Sequence, residues 1–218
     1  MKIISAFLVW ISVVVMVCAE STPPTNAEQM TALRTTIDAA YNIYYSTNDE
    51  SGNLYEALDK LQKTHPQKMF LLAQKEPDSQ AACDVFVWIA MNAWGEKGEA
   101  LTDRLQSLDY LTKYHSTNST LGPLCSNLGR YWSWRWNDKP VVDFLKAVAK
   151  NNLNRDIRGQ AVFALGQLFA SKSKEIANFE NWGKNSFFTN GFSADYLMAL
   201  TQSGNSQTAA DQAEKQFQ

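Results

Sequence analysis

The side chains best suited to covalent chemistry are few and scattered along this chain. It contains three cysteines, and no Cys-x-x-Cys motif occurs, so a thioredoxin-type redox centre is not predicted. Cys83 and Cys125 both fall at apolar positions of predicted helices. An exported chain permits a disulfide between them. A buried free cysteine behaves as a small hydrophobe, however, and we expect two free thiols.

The two histidines and the acidic residues form no recognisable catalytic or metal-binding pattern. His65 precedes Pro66, and His115 ends a predicted helix, where the helix dipole favours a cation. Neither histidine has the spacing to cysteine or carboxylate residues that a metal site requires. The acidic residues at 49–50 and 96–99 fall in predicted turns. We therefore expect capping and surface roles for the histidines, with no catalytic residue, no metal and no cofactor.

An aromatic cluster is the strongest candidate for a contact surface. Its members are Tyr131, Trp132, Trp134, Arg135 and Trp136. Tryptophans at this spacing could stack on sugar rings or anchor a peptide, with the arginine adding a positive charge. The alternative, which we favour, is an interhelix turn whose large side chains cover the core.

The clearest positioning element is the segment of residues 151–172. Apolar residues at 157, 161, 164, 165, 168 and 169 form one face of a helix with a 3.6-residue period. Asn154 is suited to be its N-cap, and Asp156 lies in the first turn, where a negative charge is favoured. Gly159 and Gly166 lie one heptad apart, which predicts close approach by a neighbouring helix because glycine disfavours a helix interior.

Similar stripes recur along the chain and predict an all-α protein. A capping box at Thr25 and Glu28 opens a first helix that runs to about Ser46. Pro66 is expected to separate two short helices, and the pattern weakens after Lys174. No segment alternates with the period of a strand. We predict antiparallel helix pairs, arranged as an irregular α-solenoid of the HEAT or TPR kind or as a compact helical bundle.

The N-terminal residues predict export. Lys2 is followed by an apolar run without charge, and Val17-Cys18-Ala19 offers small residues for cleavage. We expect residues 1–19 to be a signal peptide, 20–27 a flexible lead-in and 28–218 a single helical domain, periplasmic or extracellular after cleavage. The 20 basic residues are balanced by 22 acidic ones, which argues against nucleic acid as a partner. No later apolar run predicts a membrane contact.

A longer series of short motifs carries a family resemblance. The series comprises His65-Pro66, Glu76-Pro77-Asp78-Ser79, Phe86-Val87-Trp88-Ile89, residues 111–115, residues 121–125, residues 154–161 and Ala213-Glu214-Lys215. It resembles the helical N-terminal region of exported bacterial proteins whose C-terminal part is a TlpA-like thioredoxin or redoxin domain. In that family the redox chemistry belongs to the C-terminal domain, and this sequence contains no matching redox residue. The chain ends about where the linker to that domain would begin.

Three functions follow as hypotheses. The preferred one is an exported, non-enzymatic helical-repeat module for protein interaction or scaffolding. The second is the accessory part of a TlpA-like thiol–disulfide oxidoreductase whose redox domain is missing or separately encoded, which would make a thioredoxin-like domain the partner. The third is a carbohydrate-binding module that uses Trp132, Trp134 and Trp136.

Overall fold

The computed structural model describes residues 23–47, 52–92, 99–131, 139–182 and 205–217. These residues form helices and contain no strand, which confirms the all-α prediction. In chain order the elements are α1 (Asn26–Ser46), α2 (Asn53–Ala73), α3 (Gln80–Asn92), α4 (Glu99–Tyr110), a π-helical turn (Leu111–His115), α5 (Gly122–Tyr131), α6 (Lys139–Asn151), α7 (Arg155–Trp182) and α8 (Ser206–Phe217).

Helices α1 and α2 form an antiparallel hairpin. The predicted capping box begins α1: the Thr25 hydroxyl accepts a hydrogen bond from the Glu28 amide at 3.2 Å, and the Glu28 carboxylate accepts one from the Thr25 amide at 2.7 Å. Asn26, at the start of α1, donates to Glu76, just beyond the end of α2, at 2.7 Å. The two helices therefore run in opposite directions.

The predicted break at Pro66 is wrong, because α2 continues through this residue without interruption. Proline inside a helix removes one backbone hydrogen bond and costs about 3 kcal/mol. The residue is nevertheless buried on the same stripe as Leu58, Met69, Phe70 and Ala73. Burial of this stripe offsets the local cost, so tertiary packing decides the helix length.

Helix α3 lies at the centre of the first half of the molecule. The Ser79 hydroxyl caps it by accepting from the Ala82 amide at 3.1 Å. Phe86 of α3 stacks on Tyr110 of α4 with ring centroids 4.9 Å apart, and both rings contact Phe70 of α2 edge-on. This three-ring cluster joins α2, α3 and α4 into one core.

In the second half, alternate helices run in the same direction. Gly122 lies against Gln160 and Gly129 against Ala164, so α5 and α7 are parallel. Asp109 lies near Asp143 in α6, and Ser116 contacts Asn151 at the end of that helix, so α4 and α6 are also parallel. This alternation occurs both in α-solenoids and in up-and-down helical bundles, so it agrees with either of the predicted all-α arrangements.

The helix predicted from residues 151–172 is confirmed, and it extends further than its pattern. Asn154 is its N-cap: its side-chain oxygen accepts from the Asp156 amide at 2.9 Å. All six stripe residues from 157 to 169 are buried. Beyond Lys174 the helix continues to Trp182, where Glu180 accepts hydrogen bonds from the amide and the hydroxyl of Ser206, the first residue of α8.

The close approach predicted at Gly159 lies elsewhere. Gly159 is exposed, and a Cβ added there would meet no atom within 4 Å. Gly166 is buried, but the tight contact is made by Gly129 of α5, where an added Cβ would lie 2.8 Å from the Cα of Ala164. A glycine that permits close packing is thus found on the neighbouring helix, and the close approach expected at Gly166 stays a prediction.

Candidate functional site

A solvent-open groove runs along the hairpin of α1 and α2. Its volume is about 550 Å³, and we call it the α1–α2 groove. Four residues of each helix line it: Gln29, Ala32, Leu33 and Thr36 from α1, and Lys68, Leu71, Leu72 and Lys75 from α2. The residues of α2 that face the core are Met69, Phe70 and Ala73, so the groove lies on the opposite face of this helix.

The floor of the groove is apolar and partly open to solvent. Leu71 is 56% exposed, whereas Leu33 and Leu72 are half-buried and pack against the core. A leucine this exposed on a well-packed helix is notable because it adjoins other apolar residues instead of standing alone. The groove therefore offers a continuous apolar surface that the rest of the described chain leaves uncovered.

Two lysines flank this floor along α2. Lys68 and Lys75 are seven residues apart, which places them on the same side of the helix and about 10 Å apart along its axis. Within the part of the chain that the structure describes, neither ammonium group forms an ion pair, whereas Lys63 pairs with Asp59 at 2.6 Å. Burial, together with the positive charge of Lys68, lowers the pKa of nearby His65.

The polar side chains of the α1 wall are already hydrogen-bonded. The Gln29 amide group donates to the Pro24 carbonyl at 2.7 Å, and the Thr36 hydroxyl donates to the Ala32 carbonyl at 2.9 Å. These groups therefore have little need of a further partner. The charged groups of the groove that a ligand could meet are the two lysine ammonium groups.

A cluster of tyrosines occupies the far end of the same hairpin. Tyr41 and Tyr45 stack with ring centroids 6.1 Å apart, and Tyr44 contacts both Tyr45 and Tyr55. Tyr45 is 73% exposed and Tyr55 60%. The Tyr41 hydroxyl accepts a hydrogen bond from Gln62, and burial raises the pKa of this phenol. The cluster gives the hairpin an exposed aromatic surface in addition to the aliphatic floor of the α1–α2 groove.

At the end of the molecule away from the tyrosine cluster, polar side chains form hydrogen bonds between successive interhelix connections. We call this set, which comprises His115, Asn118 and Asn152, the loop network. His115 is buried, and its Nε2–H donates to the carbonyl of Pro77 at 2.7 Å. Asn118 donates to the side chain of Gln80 at 2.8 Å. The expected surface role of His115 is therefore wrong: the residue ends a helix as predicted, but its ring is needed to satisfy a carbonyl in the loop before α3.

Asn152 extends the loop network to the connection before α7. Its side-chain nitrogen donates to the carbonyls of Ser116 and Asn118 at 3.1 and 2.8 Å, and its side-chain oxygen accepts from the Asn154 amide at 3.0 Å. The Asn152 carbonyl in turn accepts from Arg158 at 2.8 Å. Because every polar group here has an internal partner, the loop network is suited to holding loops in register and not to binding a ligand.

Cys83 and Cys125 are both free and buried. Burial raises the pKa of Cys83 and of Cys125 to about 12. A thiol of this pKa is almost fully protonated at neutral pH and is a poor nucleophile. The geometry thus gives these two residues the packing role of small apolar side chains in α3 and α5.

The predicted aromatic contact surface lies almost entirely outside the described residues. Tyr131 is the last residue of α5, and nothing is described of its side chain. Two ranges outside the described residues contain the other predictions. The range 132–138 contains Trp132, Trp134, Arg135 and Trp136, and the range 1–22 contains the predicted signal peptide. These expectations therefore stay predictions.

Sequence reasoning missed the α1–α2 groove. A usable signal was the run Met69-Phe70-Leu71-Leu72, because four consecutive apolar residues cover more than one face of a helix. At least one of them had to point away from the core, and Leu71 does.

Comparison with protein-family models, with curated proteins and with solved structures found no match. The resemblance to the helical region of TlpA-like proteins is therefore still a prediction.

Within the described ranges, no group of three or more histidine, cysteine or acidic residues is placed to hold a metal ion. No described helix combines the length and the apolar character needed to cross a membrane.

Proposed function

We propose that this chain is an exported, non-enzymatic helical module that binds a protein partner through the α1–α2 groove. The observation that carries the proposal is the uncovered apolar floor around Leu71, which is 56% exposed. Protein contact sites in soluble proteins commonly combine an uncovered apolar surface with a polar rim. Proteins commonly bind an amphipathic helix in a groove of this kind.

Three described side chains that could otherwise do chemistry have structural roles. The thiols of Cys83 and Cys125 are buried with their pKa raised to about 12. His115 donates its ring N–H to the Pro77 carbonyl. These assignments favour a binding role over a catalytic one, because the two thiols and His115 already serve the packing of the helices.

Site-specific photocrosslinking in the source cells tests the proposal. A benzophenone amino acid placed at Leu71 is expected to capture a discrete protein partner. The same amino acid at Lys146, an exposed residue of α6, is the matched control and should not capture this partner. Absence of a product from the groove position, or the same products from both positions, would contradict the proposed function.

A further inference from the structure

We infer that the partner of the α1–α2 groove is an acidic amphipathic helix whose carboxylates lie seven residues apart. This inference rests on the proposed function and adds the chemistry of the ligand. It is carried by charge complementarity: Lys68 and Lys75 flank an apolar floor, and neither is paired within the described residues. The ligand must therefore supply both apolar side chains and negative charge.

Three carboxylates of α1 and of the segment after α2 have partners other than these lysines. Glu28 accepts from the amide and hydroxyl of Thr25, and Glu76 accepts from Asn26 at 2.7 Å. On α1, Asp38 pairs with Arg34 at 3.6 Å. None of these carboxylates forms an ion pair with Lys68 or Lys75, so the two ammonium groups are open to an anionic partner.

The spacing of the lysines selects the conformation of the ligand. Two positions seven residues apart on α2 are two helical turns apart, or about 10 Å. A second helix lying along the groove repeats its own side chains at the same interval, so two of its carboxylates can meet both lysines together. An approaching helix would also continue the helix-on-helix packing by which α1 and α2 contact each other.

The apolar floor sets the register of that ligand. Leu71 and Leu72 lie between the two lysines in the sequence, and Ala32 and Leu33 lie opposite them on α1. The ligand should therefore carry its apolar stripe between its two acidic positions. The apolar contact supplies most of the affinity, and the flanking charges fix orientation and exclude basic helices.

Binding of designed helical peptides to the purified full chain tests this inference. The peptides are stapled helices of about 14 residues. They share one leucine stripe and carry two glutamates spaced three, four or seven residues apart, and matched peptides carry lysines instead. Fluorescence anisotropy measures each Kd for the wild type, for the Lys68→Glu/Lys75→Glu variant, and for Lys146→Glu/Lys150→Glu. The last variant is the control, because it makes the same charge change on exposed residues of α6.

We expect the peptide with glutamates seven residues apart to bind most tightly to the wild type. Its affinity should fall about 5- to 30-fold in Lys68→Glu/Lys75→Glu, the loss expected for two exposed ion pairs, and should be unchanged in the control. The lysine peptide should show the reverse preference. Circular dichroism of both variants checks that the fold is retained.

Equal binding of acidic and basic peptides, no binding of any acidic peptide, or tightest binding of a peptide with glutamates three or four residues apart would overturn this inference. In each case a specific photocrosslink at Leu71 would still support the proposed function. Loss of that crosslink alone would instead remove the groove as a binding site. The two failures are therefore distinguishable.

Discussion

The ring of His115 donates a hydrogen bond to the carbonyl of Pro77 across 2.7 Å, although the two residues are 38 positions apart in the sequence. The contact joins the π-helical turn after α4 to the loop that precedes α3. Since His115 is only 5% exposed, water cannot readily replace it as a partner for this carbonyl. The bond therefore fixes one interhelix connection against another.

Replacement of His115 by alanine should destabilise the fold. The change removes a buried ring and leaves the Pro77 carbonyl without its donor, so we expect the free energy of unfolding to fall by about 2 to 3 kcal/mol. His65→Ala is the control, because His65 is only half-buried and should cost less than about 1 kcal/mol. Urea unfolding followed by circular dichroism measures both. Equal losses of unfolding free energy in the two variants would show that the buried hydrogen bond of His115 does not stabilise the fold.

Replacement of Asn152 by alanine should be more costly than the same change next to it. Asn152 is 2% exposed and uses its side chain for three hydrogen bonds, so its loss should cost about 2 to 4 kcal/mol. Asn151 is exposed and makes one long bond of 3.3 Å to Ser116, and its replacement should cost about 0.5 kcal/mol. Chemical denaturation measures the free energy of unfolding of the two variants. Similar denaturation midpoints would show that the hydrogen bonds of Asn152 do not stabilise the fold more than the one of Asn151.

Glycine-to-alanine changes should act in opposite directions at two positions. In Gly129→Ala the new methyl group would lie 2.8 Å from the Cα of Ala164, so we expect a loss of about 1 to 3 kcal/mol from overpacking. In Gly159→Ala the methyl group meets nothing within 4 Å, and the better helix propensity of alanine should stabilise by about 0.5 to 1 kcal/mol. Thermal unfolding reports both shifts. A stabilised Gly129→Ala variant would contradict the packing of α5 on α7.

The cysteine thiols should be unreactive in the native state. With a pKa of about 12, about one thiol in ten thousand is ionised at pH 8, and the buried sulfur atoms are also shielded from reagents. Treatment with a disulfide reagent such as DTNB should label neither Cys83 nor Cys125 until denaturant is added. Both should then react stoichiometrically. Fast labelling of the folded chain would show that α3 and α5 open readily.

The same pKa values predict that stability falls at alkaline pH. An unfolded thiol has a pKa of about 8.5, so the folded state holds the proton more tightly than the unfolded state does. This contribution is complete below about pH 8.5 and is lost as pH rises toward 12. Urea unfolding at increasing pH should therefore show a steeper decline for the wild type than for Cys83→Ala/Cys125→Ala. Identical slopes would contradict the raised pKa values.

Local sequence signals predicted the elements that depend on neighbouring residues. The Thr25–Glu28 capping box and the Asn154 N-cap are formed as expected, because each involves residues within one helical turn. The apolar stripe from Ile157 to Phe169 is buried for the same reason: its period alone defines the face that must leave water. The all-α class followed from repeating that argument along the chain.

The errors occurred where distant residues decide the outcome. Pro66 does not end α2, since packing of its buried stripe outweighs a local preference. His115 is internal because its partner, Pro77, lies in another loop, which no spacing in the sequence indicates. The α1–α2 groove depends on how two helices lie side by side, and periodicity within each helix cannot reveal which of its leucines stays uncovered.

The position of the α1–α2 hairpin in the helix stack has a thermodynamic consequence for recognition. Its packing partners within the described chain are chiefly α3 and α4, so this hairpin can open without disturbing the contacts of α5 with α7. A ligand seated along Leu71 would suppress that opening and slow the hydrogen exchange of its amides. Part of the binding free energy would then offset the cost of ordering the hairpin. A variant whose hairpin is more rigid before binding should therefore bind the ligand more tightly.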